Sequence, residues 1–418
     1  MDAATSNYVK AQIDAEFARF LDSRPPEDFE PFPDIPAGRY IDDEFFDLEQ
    51  QHVWSKAWLL AGHADELPDA GSYKLWESSG TPILIVRGKD DKVRAFYNTC
   101  SHRGGPLVRQ ETGKEKLFVC KYHCWAYNLD GQLNHIPDEH EFIAIDKSKL
   151  GLKPIRCERF GNWIYVNRDP DAMPLTEYLG PLQKELADFQ PDKLRFVTRY
   201  HYDLRCNWKI TMDAFQEVYH LKHIHPQTVD KNLDHRGATM ALFPNGSSRM
   251  IVPARTGATQ FAVAPSTCEL DADERYEIVR SGSMSYNMFP NTTTPINALA
   301  FPYLQFWPLS KTDTRFEVTW FTREDNADPD SEYWREKIAG FNVILDEDNE
   351  NLPWIQRSIE SGALSGVPLS YQERRIYHFH EYLDQVIGRD KIPAHLQVAP
   401  RTAALVEDGK GQRVGQSA

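Results

Sequence analysis

The sequence has few cysteines and no long hydrophobic run. Only six of its 418 residues are cysteine, and no apolar segment approaches the roughly 20 residues that a helix needs to cross a bilayer. The first residues, "MDAATSNYVKAQIDAEF", contain neither the basic region nor the apolar region of a secretory signal. These absences predict a cytoplasmic protein that does not bind a membrane. Its thiols then stay reduced, so the cysteines are metal ligands or buried side chains rather than a disulfide framework.

Basic residues are scarce relative to acidic ones, and nucleotide-binding motifs are missing. The chain has 47 Lys and Arg against 62 Asp and Glu, for a formal net charge of −15. An acidic surface repels phosphate backbones, which argues against a nucleic-acid partner. The sequence contains neither a G-x-G-x-x-G fingerprint nor a P-loop, so the chain is not expected to bind NADH or ATP itself. The acidic surface would suit a basic docking partner.

The chain divides into three regions by composition. Residues 5–22 have helical apolar spacing, and a proline-rich connector and a second short helix follow them. From about residue 56 to 168 the pattern changes to short β-rich runs bounded by turn residues. Helix and strand patterns alternate after that. We therefore predict an α+β protein, with N-terminal helices and connector in residues 1–55, a small all-β domain in 56–168 and a larger α+β domain in 169–418.

Two Cys/His pairs lie between the predicted strands of the small domain. Cys100 and His102 form C-x-H, and Cys120 and His123 form C-x2-H. Such pairs on two loops could hold a structural zinc or a Rieske [2Fe–2S] cluster, with two thiolates on one iron and two imidazoles on the other. The short C-x-H spacing argues against zinc. Two glycines after the first pair, at 104 and 105, would let backbone amides approach cluster sulfurs.

A second cluster of possible ligands lies in "CNWKITMDAFQEVYHLKHIHP". A non-haem Fe(II) that activates O₂ needs two histidines, one carboxylate and open positions. Helix spacing alone would select Glu217, His220 and His223, which are three residues apart on one face. Pro226 ends the predicted helix, however, so that His225 can also turn back toward the site.

Both motifs resemble those of one enzyme family. "CSHRGGPL … CKYHCWAYNLDGQL" is similar to the C-x-H-R-G … C-x-Y-H-G-W-x-Y signature of the ring-hydroxylating, Rieske non-haem iron oxygenases. The resemblance implies that Cys100, His102, Cys120 and His123 hold a [2Fe–2S] cluster. Cys124 stands where the family usually has glycine. The family fold would be a small β Rieske domain and a larger, helix-grip-like catalytic domain with an antiparallel sheet.

The resemblance also selects ligands for a mononuclear iron. The family motif N-W-K … E-x-Y-H-x4-H places the two imidazole ligands at His220 and His225. In the family the third ligand is an acid on a late helix, followed eight residues on by Gln or Glu. "EDNENLPWIQ" supplies Asp348 with Gln356 at that distance, and Asp346 is the second candidate.

Three further residues receive roles by the same resemblance. An acid at position 217 in the family bridges an iron-ligand histidine and a Rieske histidine of the neighbouring subunit in a head-to-tail trimer. Here these residues are Glu217, His220 and His123. Most members have Asp at this position, whereas members acting on quaternary amines such as carnitine have Glu. Asp213 matches an acid at the site entrance, and Asn207 belongs to the N-W-K motif.

The implied function is that of a terminal oxygenase component. Electrons from a separate NAD(P)H-dependent reductase, with or without a ferredoxin, would pass through the cluster to Fe(II). The iron would use O₂ to hydroxylate, dihydroxylate or oxidatively dealkylate the substrate. The substrate would be an apolar or aromatic molecule or an amine. A homotrimer, with or without a β-subunit, is expected. The alternative is a non-catalytic Rieske electron carrier. The candidate aromatic residues of the substrate pocket are Phe215, Phe289, Phe301, Phe306, Phe341 and Trp354.

Overall fold

The structure is a computed structural model that describes residues 3–27, 29–256, 277–296, 300–323 and 326–407. The chain folds into two compact units. The smaller unit comprises Trp54–Tyr178 and Pro191–Lys193. The larger unit comprises Met1–Val53, Leu179–Gln190 and Leu194–Ala418, so the N-terminal helices belong with the C-terminal part of the chain.

The regular elements are numbered in chain order. The helices are α1 (Ala3–Leu21), α2 (Asp43–Glu49), α3 (Leu175–Leu179), α4 (Pro181–Ala187), α5 (Trp208–Ala214), α6 (Leu221–Ile224), α7 (Glu277–Arg280), α8 (Glu332–Asn349), α9 (Leu352–Glu360) and α10 (Arg374–Ile387). The strands are β1 (Ile35–Pro36), β2 (Leu59–His63), β3 (Ser72–Trp76), β4 (Ile83–Arg87), β5 (Val93–Tyr97), β6 (Thr112–Lys114), β7 (Phe118–Val119), β8 (Ala126–Tyr127), β9 (Leu133–His135), β10 (Pro154–Phe160), β11 (Trp163–Asn167), β12 (Arg195–Leu204), β13 (Thr239–Leu242), β14 (Ser248–Pro253), β15 (Gly282–Met288), β16 (Thr292–Ile296), β17 (Ala300–Ser310), β18 (Asp313–Thr322) and β19 (Gly366–Val367).

The smaller unit is built from antiparallel strands. Its main sheet has the order β2-β11-β10-β5-β4-β3-β6, and β7, β8 and β9 form a second sheet. The central strands are rich in β-branched and aromatic residues, which suit a pleated surface buried on both faces. One hydrophobic core contains residues of both sheets together with Cys100 and Cys120. The β-rich runs predicted for this region thus form the framework that holds both Cys/His loops.

A seven-stranded antiparallel sheet forms the centre of the larger unit. Its order is β12-β18-β17-β16-β15-β14-β13. The hairpin of β17 and β18 has two of the three longest strands in the described part of the chain, and most of its side chains are buried. Helix α5 packs against these two strands and against α9. Helix α10 is buried along most of its length. This antiparallel α+β architecture confirms the predicted fold class.

The segment expected as one helix up to Pro226 is interrupted. Helix α5 ends at Ala214, residues 215–220 form turns, and α6 begins at Leu221. The Glu217 side chain accepts hydrogen bonds from the backbone N–H groups of Tyr219 and His220, so it satisfies donors that a continuous helix would have paired internally. The interruption changes the directions of the side chains that follow.

No helix in the described part of the chain is both long and apolar enough to span a bilayer.

Candidate metal centres

The two Cys/His loops of the smaller unit have matching backbone turns. The Cys100 N–H donates to the Gly105 carbonyl and the Gly104 N–H to the Cys100 carbonyl, both at 2.9 Å. In the second loop the Cys120 N–H donates to the Trp125 carbonyl and the Cys124 N–H to the Cys120 carbonyl, again at 2.9 Å. Each loop therefore turns tightly just after its cysteine and carries its histidine on the turn.

These turns bring the four predicted cluster ligands together. Cys100 and Cys120 are each 3% exposed. The ring centroids of His102 and His123 are 4.7 Å apart. A Cβ at Gly105 would lie 3.0 Å from the Cys120 Sγ, so glycine leaves room beside the sulfur. Two buried thiols and two adjacent imidazoles fit the donor set of a Rieske cluster.

The surroundings of these side chains suit metal ligation. The Tyr127 hydroxyl lies 3.1 Å from the Cys100 Sγ, where it can tune the charge on sulfur. His102 stacks on Trp125 with ring centroids 4.8 Å apart. Burial and the neighbouring His123 lower the pKa of His102, which favours the neutral imidazole that binds metals.

Cys124 occupies a strained position in the second turn. Its φ is +57°, in the left-handed region that side chains with a Cβ disfavour. The corresponding residue of the first turn is Gly104, with φ +73°. A positive φ at position 124 is a physical reason for glycine there, because glycine has no Cβ. Cys124 adopts the same backbone conformation although it lacks the conformational freedom of glycine.

A second set of donors converges in the larger unit. One side-chain donor atom from each of His220, His225 and Asp348 lies within 4.8 Å of the other two. The Asp348 Oδ1 is 2.9 Å from the His225 Nε2 and 3.6 Å from the His220 Nε2. His225 and Asp348 are buried, and His220 is partly exposed. Two imidazoles and one carboxylate facing a common point match the two-histidine, one-carboxylate set of non-haem Fe(II) sites.

A glutamate makes a hydrogen bond with the Nδ1 of each histidine, the ring nitrogen that does not face Asp348. The Glu217 Oε1 makes a hydrogen bond with the His220 Nδ1. The Glu347 Oε2 lies 2.7 Å from the His225 Nδ1 and accepts a hydrogen bond from the Thr228 hydroxyl at 2.6 Å. Both Nε2 atoms are thereby directed toward Asp348, the arrangement that second-shell carboxylates impose on metal-ligating histidines.

The charges of these acids change the titration of the histidines. Burial opposes the imidazolium form of His220, but the hydrogen bond and charge of Glu217 outweigh it and raise the pKa of His220. At His225 burial is likewise outweighed by Asp348 and Glu347, so its pKa also rises. The site therefore carries excess negative charge, which a bound cation would neutralise.

Glu347 was not predicted from the sequence. It lies in the acidic run "DEDNE", from which only Asp348 and Asp346 were selected. Asp346 is exposed, and its charge adds to the effect of burial in raising the pKa of Tyr202. His223 is also exposed.

The other two predicted residues, Asn207 and Asp213, make hydrogen bonds to residues other than the three converging donors. Asn207 caps α5 by accepting from the Lys209 N–H, and its own N–H donates to the Gln356 Oε1 at 2.8 Å. The Asp213 Oδ2 accepts a hydrogen bond from the Tyr40 hydroxyl at 2.7 Å and lies 3.4 Å from the His380 Nε2. These contacts hold the two ends of helix α5 in place. The catalytic roles of Asn207 and Asp213 stay predictions.

A cavity of about 650 Å³ lies beside the three converging donors. His220, His225 and Asp348 are part of its wall, and most of the remaining wall is apolar. Of the aromatic residues proposed for the pocket, Phe215 and Phe341 line it. Phe289, Phe301 and Phe306 are buried, and Trp354 is 64% exposed. A small organic molecule could thus reach the point where the donors converge.

Comparison with known proteins identifies both parts of the chain. Residues 57–159 match the Rieske [2Fe–2S] domain, and residues 191–389 match the catalytic domain of ring-hydroxylating alpha subunits. The carnitine monooxygenase oxygenase subunit of Escherichia coli K12 is 28% identical over 367 residues, which cover 84% of this chain and 93% of that protein. The alpha subunit of 2-aminobenzenesulfonate 2,3-dioxygenase from an Alcaligenes species is 33% identical over 43% of this chain and 47% of its own length.

Solved structures agree on the fold. A crystal structure of a quaternary ammonium Rieske monooxygenase with a bound inhibitor superposes with a TM-score of 0.73 at 22% identity, covering 86% of this chain and 98% of the other. The Rieske match decides between the two metals considered for the Cys/His loops, in favour of the iron–sulfur cluster over zinc. The chain therefore belongs to the Rieske non-haem iron oxygenases, oxidoreductases whose α-subunits carry a [2Fe–2S] cluster and a mononuclear iron.

Proposed function

We propose that this chain is the terminal oxygenase of a monooxygenase system that hydroxylates or oxidatively dealkylates a small molecule with an apolar body. The observation that carries this proposal is the convergence of two imidazoles and one carboxylate on the wall of a largely apolar cavity. The carnitine monooxygenase subunit, matched over 93% of its length, favours monooxygenation over dihydroxylation.

The residues have distinct parts in this proposal. Cys100, His102, Cys120 and His123 hold the cluster, and His220, His225 and Asp348 hold the iron. Iron bound there supplies the activation of O₂ for insertion into a C–H bond. Glu217 and Glu347 keep each Nδ1 occupied, so that each Nε2 stays directed at the metal position. The apolar cavity wall excludes water and orients the substrate.

We further propose a head-to-tail homotrimer in which the cluster of one subunit serves the iron of the next. Two exposed aromatic residues support it. Tyr122 is 60% exposed beside the cluster ligand His123, and Tyr219 is 56% exposed between Glu217 and His220. Large exposed aromatic side chains next to both centres suit a protein interface. A separate NAD(P)H-dependent reductase, with or without a ferredoxin, supplies the electrons.

Isotope incorporation tests the reaction. The purified, iron-loaded protein is incubated with a surrogate reductase, NADH and ¹⁸O₂ and offered aryl ethers, tertiary amines, quaternary ammonium compounds and aromatic acids. One ¹⁸O atom per hydroxylated product, or in the aldehyde released on dealkylation, is expected. Two labelled atoms in one product would make the protein a dioxygenase instead.

A variant separates catalysis from electron carriage. His220→Ala is expected to abolish oxygen incorporation while leaving the cluster's visible spectrum and its reduction by the reductase unchanged. A wild-type protein that reduces and reoxidises its cluster but binds no mononuclear iron would support the electron-carrier alternative.

A further inference from the structure

We propose that the substrate carries an anionic group, a carboxylate or sulfonate, and that Lys337 binds this group at the end of the cavity remote from the metal-binding side chains. This inference rests on the proposed oxygenase function and specifies the class of its substrate. It assigns Lys337 as a specificity-determining residue.

One face of helix α8 forms a wall of the cavity. Lys337, Phe341, Ile344 and Asp348 all line it. They are separated by four, three and four residues, the spacing that places side chains on a single face of an α-helix. Lys337 and Asp348 are thus on the same face, three turns apart, with a rise of about 16 Å between them. The ammonium and the metal-binding carboxylate are at opposite ends of one wall.

The Lys337 ammonium has no acidic partner in the described part of the chain. Its side chain is partly buried, and its Nζ lies 5.8 Å from the centroid of the Tyr333 ring. Burial lowers the pKa of Lys337, and no neighbouring carboxylate opposes that shift. A partly desolvated, unpaired charge is costly, so a bound anion would gain a strong interaction here.

The other charged residues of the cavity do not compensate this lysine. Among the described lining residues, Lys337 is the sole lysine or arginine. Glu217 and Asp348 contact the two histidines. Glu336 also lines the cavity but is exposed, and it precedes Lys337 on the helix, about 100° around the axis. The lysine is therefore available to a ligand, and Glu336 belongs to the solvent-exposed side.

The wall between the two ends limits the form of the ligand. Phe341, Ile344 and Leu345 contribute apolar surface along α8, and Met250 and Val252 contribute it from β14. A ligand that reaches both ends must be elongated, with an apolar body and its anionic group several bonds from the carbon that is oxidised. A compact cation with no negative group would leave Lys337 unpaired.

Equilibrium binding with matched probes tests this inference. Isothermal titration calorimetry compares benzoate, 3-phenylpropionate and 5-phenylvalerate with the primary amide and the trimethylammonium analogue of 5-phenylvalerate, using anaerobic iron-loaded protein without reductase. Wild type is expected to bind 5-phenylvalerate about ten- to a hundredfold more tightly than the amide. It should also bind 5-phenylvalerate more tightly than the shorter acids.

Two variants at Lys337 and a neighbouring control identify the group responsible. K337Q should bind the acid and the amide equally, whereas K337R and the control E336Q should keep the preference for the acid. Equal binding of acid and amide by wild type, preferred binding of the trimethylammonium probe, or binding of none of the probes would overturn the inference. Because no turnover is involved, a retained acid preference in a protein that fails the ¹⁸O₂ experiment would count against the proposed function alone.

Discussion

Each histidine of the proposed iron site is held by a glutamate at its Nδ1. At His225 the Nδ1 faces Glu347, which is itself fixed by the Thr228 hydroxyl. A carboxylate in this position selects the tautomer that leaves Nε2 free for a metal and increases the basicity of the ligand. Asp346 precedes Glu347 directly in the sequence, but its side chain is exposed and makes no hydrogen bond to either histidine.

Removal of the Glu347 carboxylate should weaken iron binding. Glu347→Ala is expected to lower iron affinity by about ten- to a hundredfold because the His225 ring loses its orienting partner. Glu347→Gln, which keeps a hydrogen-bonding oxygen, should lie between this variant and wild type. Iron retained after dialysis against a chelator is the measurement, and the cluster's visible absorbance reports an intact fold. Asp346→Asn is the matched control, and equal iron retention in Glu347→Ala and the control would contradict the role.

The two cluster loops allow a reciprocal test of backbone strain. Cys124 has φ +57°, and its side chain is exposed. A Cβ added at Gly104 (φ +73°) would likewise have no neighbouring atom within 4 Å, so at both positions the backbone conformation is the source of strain. A left-handed conformation costs a residue with a Cβ about 1–2 kcal/mol, partly offset by the greater unfolded-state entropy of glycine. Cys124→Gly should therefore stabilise the smaller unit by up to about 1 kcal/mol, and Gly104→Ala should destabilise it similarly.

Thermal loss of the cluster's visible absorbance measures both effects. Cys124→Ala is the control because it removes the thiol but keeps the Cβ, so its midpoint should match wild type. A rise in midpoint for Cys124→Ala equal to that for Cys124→Gly would mean that the thiol, rather than the backbone, is the source of strain.

At the residue scale the sequence was informative where a motif spans several positions. His220, His225 and Asp348 were selected by resemblance, and their donor atoms lie together; their role as ligands stays a prediction. Glu347 could not be selected, because adjacent acids on a helix differ only by about 100° in direction. Which of them reaches the His225 Nδ1 depends on the position of the whole helix.

At the scale of elements, the break between α5 and α6 determines the site. Apolar and polar residues in 211–225 have helical spacing, which predicted one helix that Pro226 ends. The structure instead has turns at 215–220, where the Glu217 side chain replaces helical partners for two backbone N–H groups. This competition between side chain and backbone has no signature in periodicity, so the sequence could not reveal it.

Helix α10 carries a buried histidine that should make stability depend on pH. The Arg39 Nε donates to the His380 Nδ1 at 3.1 Å, so that nitrogen is an acceptor and the ring is neutral. Burial lowers the pKa of His380, although Asp213 acts in the opposite direction. The Arg39 and Lys209 charges disfavour the imidazolium as well.

The sign of the effect follows from this lowered pKa. As pH falls below about 6.5, His380 takes up a proton in the unfolded chain but not in the folded one, so stability falls by up to about 1.4 kcal/mol per pH unit from this residue. His380→Gln should therefore show a shallower loss of unfolding free energy between pH 6.5 and 5.5. His201→Gln, at an exposed histidine of β12, is the control and should keep the wild-type slope. Equal slopes in wild type and His380→Gln would contradict a neutral, buried His380.

At the scale of the whole molecule, the two units carry chemically different centres in one chain. The smaller unit holds the thiol and imidazole donors, and the larger unit holds the imidazole and carboxylate donors with the cavity. The composition and strand patterns predicted an α+β protein with a small β domain, because strand and helix periodicities change along the chain. They could not predict that Met1–Val53 belongs to the larger unit, since that association depends on contacts distant in sequence.

Mixed trimers test whether electrons cross between subunits. One chain carries Glu217→Gln and keeps its cluster donor, whereas the other carries His123→Ala and keeps its acceptor site. Each variant alone is expected to lose most activity, because every subunit then lacks either the donor or the acceptor. In a head-to-tail trimer assembled randomly from equal amounts, a competent donor meets a competent acceptor at about one interface in four, so about a quarter of wild-type activity should return.

The two purified variants are dissociated, mixed at a known ratio and reassembled, and the whole randomly assembled population is assayed. Trimers reassembled from the same chain provide the background activity. Transfer within a single subunit predicts no recovery in any mixture, because no chain contains both an intact His123 and an intact Glu217. Recovery that follows the binomial fraction of donor–acceptor neighbours as the mixing ratio is changed would establish the route across the interface, with His123 of one subunit serving Glu217 of the next.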